Sequence, residues 1–337
     1  MTRSHAVARR RALRALRPGL VAVCCAVLAA CGWSPEPPAP GGSFRFGVFG
    51  DGPYASNENG RARRVFDALN ARPLEFVIHV GDIMWQQCTD AAYRERRELI
   101  ERIRHPVVYT PGDNEWLDCV DIAFRPVDPL ERLASLRTTF YAPADRSLGE
   151  APIPLETQSA DPERAEFVEH ARWSHGGVLF VTLHVVGGAN GGRPFRGRAP
   201  RHDEEVARRT QAALDWLRDG FRVAAATDAA AVVVAFHAGP LSEPGAFDHA
   251  AITPIRETLV ELATEFGKPV LVIHGDEHQY IVDRPFRDPA TGAAISNLQR
   301  LETFGSPDIG WVDVVVDTTL AEPFRFEPNV TPRWMWW

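Results

Sequence analysis

The chain has 337 residues, 45% hydrophobic and 24% charged, enough for one large globular domain or two small ones with a substantial core. Its basic residues are almost all arginine, with Lys268 the one lysine, and the first 30 residues hold six arginines and no acid. Setting that segment aside leaves 31 basic against 44 acidic residues, which argues against nucleic acid as a partner, whereas a small phosphate ester stays compatible if bound cations reverse the local field.

In chain order, Arg3, Arg9, Arg10, Arg11, Arg14 and Arg17 precede an apolar run from Gly19 to Ala30. The run is too short to span a bilayer comfortably and has the shape of a secretory signal. It ends in Leu28-Ala29-Ala30-Cys31, which resembles the bacterial lipobox. On that reading residues 1–31 are a lipoprotein signal peptide whose Cys31 is lipidated, and the protein is exported and anchored to the membrane of the cell envelope. The alternative is an ordinary cleaved signal with a chance cysteine. Residues 32–43 are rich in Pro and Gly and read as a tether.

The body, residues 44–330, opens with a run of short apolar stretches that suit strands buried on both faces: Phe44–Phe49, Phe76–Val80, Val107–Thr110, Ala231–Phe236 and Val270–Ile273. Helical patterns lie between them at Gly60–Asn70, Ala91–Arg104, Pro129–Leu136, Asp203–Arg222 and Pro254–Phe266, with Asp203 a plausible N-cap. Phe167–His184 reads as a hairpin turning at His175-Gly176-Gly177, and the tail holds strand-like runs at Leu301–Phe304, Trp311–Asp317 and Pro323–Phe326. Alternation with added hairpins predicts an α/β fold of two face-to-face mixed β-sheets flanked by helices. Ala142–Glu163 and the Gly- and Arg-rich Gly187–Arg201 read as surface excursions, and residues 331–337 form a Trp-rich tail.

Each of the five apolar stretches ends in a polar cluster: Asp51-Gly52-Pro53-Tyr54, Gly81-Asp82, Gly112-Asp113-Asn114-Glu115, His237, and His274-Gly275-Asp276-Glu277-His278. Side chains at the C-terminal ends of neighbouring strands converge on one crevice, and the glycines let the chain turn there. One Gly-Asp pair means nothing, but five clusters in succession at strand ends form a pattern.

That ordered series resembles the calcineurin-like metallophosphoesterases, including the purple acid phosphatases, over about Phe44 to Phe326. The resemblance implies a four-layer sandwich and a hydrolase of phosphate mono- or diesters. Two divalent metal ions would generate the attacking hydroxide. Asp82 would bridge the ions, Asp51 and His278 would hold one, and Asp113, His237 and Asp276 the other. Departures from the family pattern are visible. Pro53 stands where a histidine ligand is usual, with Tyr54 as a possible replacement. Asp276 also replaces a histidine. Gapless matching puts Asp113 at a ligand position and Asn114 at the position of the catalytic histidine; a shift by one makes Asn114 the ligand.

Without that histidine, Asn114, Glu115 and His274 are the catalytic candidates. His184 is a further residue for the crevice, as ligand or support. The oxygen-rich donor set favours manganese, iron(II) or magnesium over zinc. Cys24 and Cys25 leave with the signal and Cys31 is lipidated, so Cys88 and Cys119 remain, each six residues beyond a motif aspartate, and a disulfide between them is expected in an oxidising compartment. Trp85 and Trp116 either wall the crevice or pack around that bridge. Two other readings stand beside the enzyme: a non-catalytic metal-binding lipoprotein with this fold, and a single-metal hydrolase of another ester class. Composition says nothing of oligomeric state.

Overall fold

Along β1 (Ser43–Phe49), Phe44, Phe46 and Val48 point to one side, while Gly47 and Phe49 face the other. This two-residue alternation recurs in the neighbouring strands and decides the architecture. In a computed structural model, residues 42–332 are described, apart from 86, 123–126, 242–248 and 289. The signal, the lipobox cysteine, most of the tether and the tail tryptophans Trp334, Trp336 and Trp337 lie outside those residues. Among the described residues, no helix is long and apolar enough to cross a membrane.

The first sheet has five strands: β12 (Phe324–Val330), β11 (Gly310–Asp317), β1, β2 (Phe76–His79) and β3 (Val107–Tyr109), in that spatial order. The second has seven: β4 (Glu156–Thr157), β5 (Ala171–His175), β6 (Val178–Thr182), β7 (Ala231–Ala235), β8 (Val270–His274), β10 (Leu298–Glu302) and β9 (Ile281–Asp283). Both are mixed: β1, β2 and β3 run parallel, as do β6, β7, β8 and β10, while the outer strands are antiparallel.

Phe46, Val48, Phe76 and Ile78 of the first sheet meet Val178, Phe180, Val233 and Ile273 of the second in one core, so the sheets lie face to face. The outward residues bury against helices. Val77 and Val107 pack with α1 (Asn59–Asn70), α2 (Asp90–Ile100) and α3 (Pro129–Phe140). Leu179, Val232 and Val272 pack with α5 (Pro200–Ala226) and α6 (His249–Phe266). Three apolar layers separated by two sheets give the helix–sheet–sheet–helix sandwich that the pattern predicts.

Local chemistry sets the helix starts. The Thr89 hydroxyl accepts from Ala92 N at 3.1 Å, and Asp128 caps α3 by accepting from Leu130 N at 2.9 Å. Asp203 is not the N-cap of α5. That helix begins at Pro200, where proline's missing N–H costs nothing, and Asp203 instead pairs with Arg198 at 2.6 Å. The two segments read as excursions also hold structure. Strand β4 and a bridge between Val107 and Leu148 stitch residues 142–163 to both sheets. Gly187–Asn190 makes a tight turn, α4, in which Gly188 and Ala189 are left-handed.

Candidate metal centre

The parallel strands β1, β2, β3, β7 and β8 all end at the same edge of the sandwich. Their next residues turn sharply: Asp51, Asp82, Asp276 and His278 have φ of 53°, 57°, 77° and 63°. Left-handed backbone is rare outside glycine, and its concentration at one place marks strain held by its surroundings. The turns brace one another: Asp51 N donates to Gly81 O at 3.0 Å and Gly52 N to Asp82 O at 2.8 Å. Gly112 allows the closest approach, since a Cβ there would lie 2.0 Å from Asp82 Oδ1.

His237 sits at the middle. Its Nδ1 lies 2.8 Å from Val80 O; a carbonyl only accepts, so Nδ1 carries the proton and Nε2 is turned to the acids. Nε2 is 3.4 Å from Asp82 Oδ1, 3.3 Å from Asp113 Oδ1 and 3.5 Å from Asp276 Oδ1. Beside this group, His278 Nδ1 donates to Ser306 O at 2.7 Å, which leaves Nε2 3.8 Å from Asp51 Oδ1. The Tyr54 hydroxyl donates to Asp82 Oδ2 at 2.6 Å and lies 3.2 Å from His278 Nε2. Asn114 gives its amide to Asp82 Oδ2 at 2.5 Å, while the Asp113 carboxylate stands with His237 and Asp276.

Electrostatics state what is missing. Burial pushes the Asp51 carboxyl up to about 8, with Asp276 and Glu115 adding repulsion. Burial also raises Asp82 well above the ordinary carboxylate range, and neighbouring Asp113, Glu115 and Asp51 raise it further. Burial alone would lower His237, yet Asp82, Asp113 and Asp276 carry it well above its usual value. Asp51 Oδ2 and His237 Nε2 are buried without hydrogen-bond partners. Buried like charges of this kind are costly without counter-ions. Donors that share an ion at about 2.1 Å stand roughly 3.0–3.4 Å apart, close to the spacing around His237 Nε2. The residues therefore fit divalent metal ions: Asp51, Asp82 and His237 form one group of donors and Asp113, His237 and Asp276 another, with His278 and Tyr54 beside the first.

Three residues singled out in the sequence face elsewhere. Glu115 is fully buried and its carboxylate accepts from Ile83 N at 2.8 Å, Gly112 N at 3.1 Å and the Tyr109 hydroxyl at 3.1 Å. It ties the Asp82 and Asp113 turns together. His274 is buried, with Nδ1 on Gly275 O at 2.8 Å, Nε2 4.0 Å from Glu302, and burial lowering it to about 3. His184 points away from the crevice, 3.3 Å from Glu169 Oε1, which Arg137 holds at 2.6 Å. Behind it the Arg209 guanidinium binds Glu205 at 2.7 Å and lies over the Trp116 ring at 5.3 Å.

Trp116 is thus core, whereas Trp85 is 52% exposed beside Tyr54. In the arginine-rich loop, Arg193 binds Asp118 and Asp121, Arg198 binds Asp203, and Arg201 binds Asp128. Cys88 and Cys119 are bonded, with Cα atoms 5.8 Å apart, and join the segments that follow Asp82 and Asp113.

Sequence reasoning missed Glu58, which accepts from Tyr54 N at 2.7 Å and from the Ser306 hydroxyl at 2.6 Å, holding the partners of His278. It also missed Gly187, where a Cβ would lie 2.5 Å from Asp276 Oδ1 and 2.7 Å from Asp113 Oδ2. Glu58 starts no recognisable motif. Gly187 looked like loop composition.

Comparison with known proteins bears on the fold and the family. A solved structure described as the structure of PhoD is similar with a TM-score of 0.56 at 14% identity, over 87% of this chain and 70% of that one. At that identity the likeness speaks for the fold. A crystal structure of TT1561 of Thermus thermophilus matches at a TM-score of 0.46 and 10% identity, over 86% of this chain and 99% of that one. No curated protein matches. The profile of the calcineurin-like phosphoesterases matches residues 44–280, which hold every candidate ligand described above, and the chain belongs to the calcineurin-like phosphoesterase family.

Proposed function

We propose that this phosphoesterase hydrolyses small phosphate mono- or diesters with good leaving groups, at the cell envelope, using a pair of divalent ions in an oxygen-rich donor set. The observation that carries the reading is the convergence of Asp82, Asp113 and Asp276 on His237 Nε2, with Asp51 and His278 alongside. Bound ions would supply Lewis acidity toward the phosphoryl oxygens and toward water.

The chain's own residues do the rest. Asp82 lies between the two donor groups. The carbonyls of Val80 and Ser306 fix the tautomers of His237 and His278, so that each Nε2 lone pair faces the crevice. Glu115 locks the second and third turns. Asn114, where the family places a histidine, donates a hydrogen bond but holds no proton to give. The leaving oxygen must then depart with little acid assistance, which is typically ~10²–10⁴-fold in rate. That favours aryl or other acidic leaving groups, and exposed Trp85 beside Tyr54 offers them a flat apolar surface. Four carboxylates among the donors support manganese, magnesium or iron(II) over zinc.

The envelope location rests on Leu28-Ala29-Ala30-Cys31 after an apolar run, and the Cys88–Cys119 bridge suits an oxidising compartment. Replacing Cys31 with Ser should abolish incorporation of labelled fatty acid and release the protein from membranes; unchanged fractionation would overturn the anchor.

The test of function is to strip the protein of metal, reload it with manganese, magnesium, iron(II) or zinc, and assay an aryl phosphate monoester, the matching diester and an alkyl ester. Turnover dependent on a hard ion and faster on the aryl esters is the expected result. Equal rates on alkyl and aryl esters would sink the leaving-group argument. Stoichiometric zinc as the active metal would sink the metal preference. Tight metal binding with no turnover on any ester would remove catalysis from the reading.

A further inference from the structure

The turn at Gly187–Asn190 has no part in the ligand set, yet it is built against it. Gly187 presses its bare Cα on Asp113 Oδ2 and Asp276 Oδ1, the two carboxylates that share His237 Nε2. The next four residues are all left-handed, with φ of 59° at Gly188, 61° at Ala189, 50° at Asn190 and 82° at Gly191. Glycine adopts this backbone freely and asparagine tolerates it, but Ala189 does not, so something must hold the turn.

Asn190 supplies the hold. Its side chain is fully buried; Oδ1 accepts from Val186 N at 3.2 Å and from Arg209 Nη1, and Nδ2 donates to Thr210 Oγ1 at 3.0 Å. Its carbonyl accepts from Arg209 Nη2 at 2.8 Å. Arg209 is itself immobilised on α5 by Glu205 at 2.7 Å and reaches His184 O at 3.2 Å. The turn is pinned from its other side as well: Arg193 N donates to Gly188 O at 3.0 Å, and the Arg193 guanidinium binds Asp118, in the segment just after Asp113.

We propose that Asn190, clamped by Arg209, is a positioning residue for one half of the metal centre, that of Asp113, His237 and Asp276. Its chain of contacts ends on Asp113 and Asp276, whereas the surroundings of Asp51 and His278 are set by Gly275, Gly305 and Ser306. The turn sets the spacing of two carboxylates and thereby bears first on the ion they share, although Asp276 N also donates to Asp51 Oδ1 at 2.9 Å. This rests on the two-ion reading above.

The experiment is a calorimetric titration of the metal-free, full-length protein with manganese, compared with Asn190→Gly. Glycine keeps the left-handed backbone accessible while removing the side-chain anchor. His278→Ala identifies which binding step belongs to the other half. Outer hydrogen-bond partners of ligands carry ~10–100-fold in metal affinity, so Asn190→Gly should weaken the step that His278→Ala spares by that factor and leave the other within about threefold. A merely structural role would weaken both steps alike or neither, and either result overturns the proposal. Should Asn190→Gly fail to fold, Gly187→Ala carries the test, since its added Cβ would fall 2.5 Å from Asp276 Oδ1. The same one-sided loss supports the proposal, and an even loss or none overturns it. A parent protein that binds two ions with no one-sided loss in the variants defeats this proposal alone. A parent that binds no ion defeats the two-ion reading and this inference with it.

Discussion

Two groups of buried charge meet near His184 and Gly187, and they are opposites. In the group behind the crevice, Arg137 answers Glu169 at 2.6 Å and Arg209 answers Glu205 at 2.7 Å. In the group at the crevice, Asp51, Asp82, Asp113 and Asp276 surround His237 and His278. Arg137 and His184 hold the Glu169 carboxyl far below its ordinary range against the pull of burial, while burial drives Asp51 up to about 8. Equal burial with opposite balance separates a scaffold from a receptor: the first set is complete, and the second requires cations from outside.

The largest expected effect breaks the receptor. Asp82→Asn should reduce metal-dependent phosphoesterase activity by well over the ~100-fold that loss of an outer partner costs, measured as kcat/KM on an aryl phosphate. In metal-free protein the same change should raise the urea midpoint, because it removes one of the repelling carboxyls; a lowered midpoint would refute the idea that the group is overcharged. Breaking the scaffold should do the reverse. Glu169→Gln takes the close partner from the half-buried Arg137 guanidinium, leaving Glu166 at 3.8 Å, and should destabilise the protein by about 3 kcal/mol in urea melts, with or without metal.

Metal should sharpen the contrast. Manganese at roughly 100 times its Kd should stabilise the parent by about 2.7 kcal/mol and Asp82→Asn by clearly less. An equal shift in both would place the ions elsewhere.

The smallest effect is a difference of sign with pH in metal-free protein. Asp51 titrates higher when folded than unfolded. Its contribution is full below the unfolded value of 3.8 and is lost as pH rises through about 8. Glu169 titrates lower when folded, so its contribution is present above 4.5 and lost as pH falls. Asp51→Asn should therefore flatten the profile between about pH 3.8 and 8, and Glu169→Gln below pH 4.5, each by up to about 1.4 kcal/mol per pH unit. Parallel profiles for the two variants would remove the distinction.

How much of this was legible beforehand follows from the range of the signals. The strands that carry ligands announce themselves as apolar runs, because both their faces are buried; Phe76–Val80 and Val270–Ile273 match β2 and β8 within a residue. Acids at their ends were equally visible, since strand and ligand are neighbours in sequence. The scaffold was not. Arg137, Glu169, Glu205 and Arg209 sit on α3, α5 and the approach to β5, and nothing local says that they meet. For the same reason Glu115 and His274 looked catalytic: sequence puts them in the motif, and only the folded chain shows which way their side chains face. Gly187 was hidden by composition, because a glycine demanded by close approach looks like any loop glycine. The exposure that separates Trp85 from Trp116 is likewise a property of the folded chain.

The bridge between Cys88 and Cys119 joins residues 31 apart in sequence and fastens the segment after Asp82 to the segment after Asp113. Such a link removes freedom from the unfolded chain, so these two ligand loops stay gathered before any ion arrives. Ions would therefore enter a preorganised socket and need not assemble it, which would make loading and stripping local events. A preparation emptied by a chelator should regain its metals by simple addition, without passing through the unfolded state, for as long as that one sulfur–sulfur bond is intact.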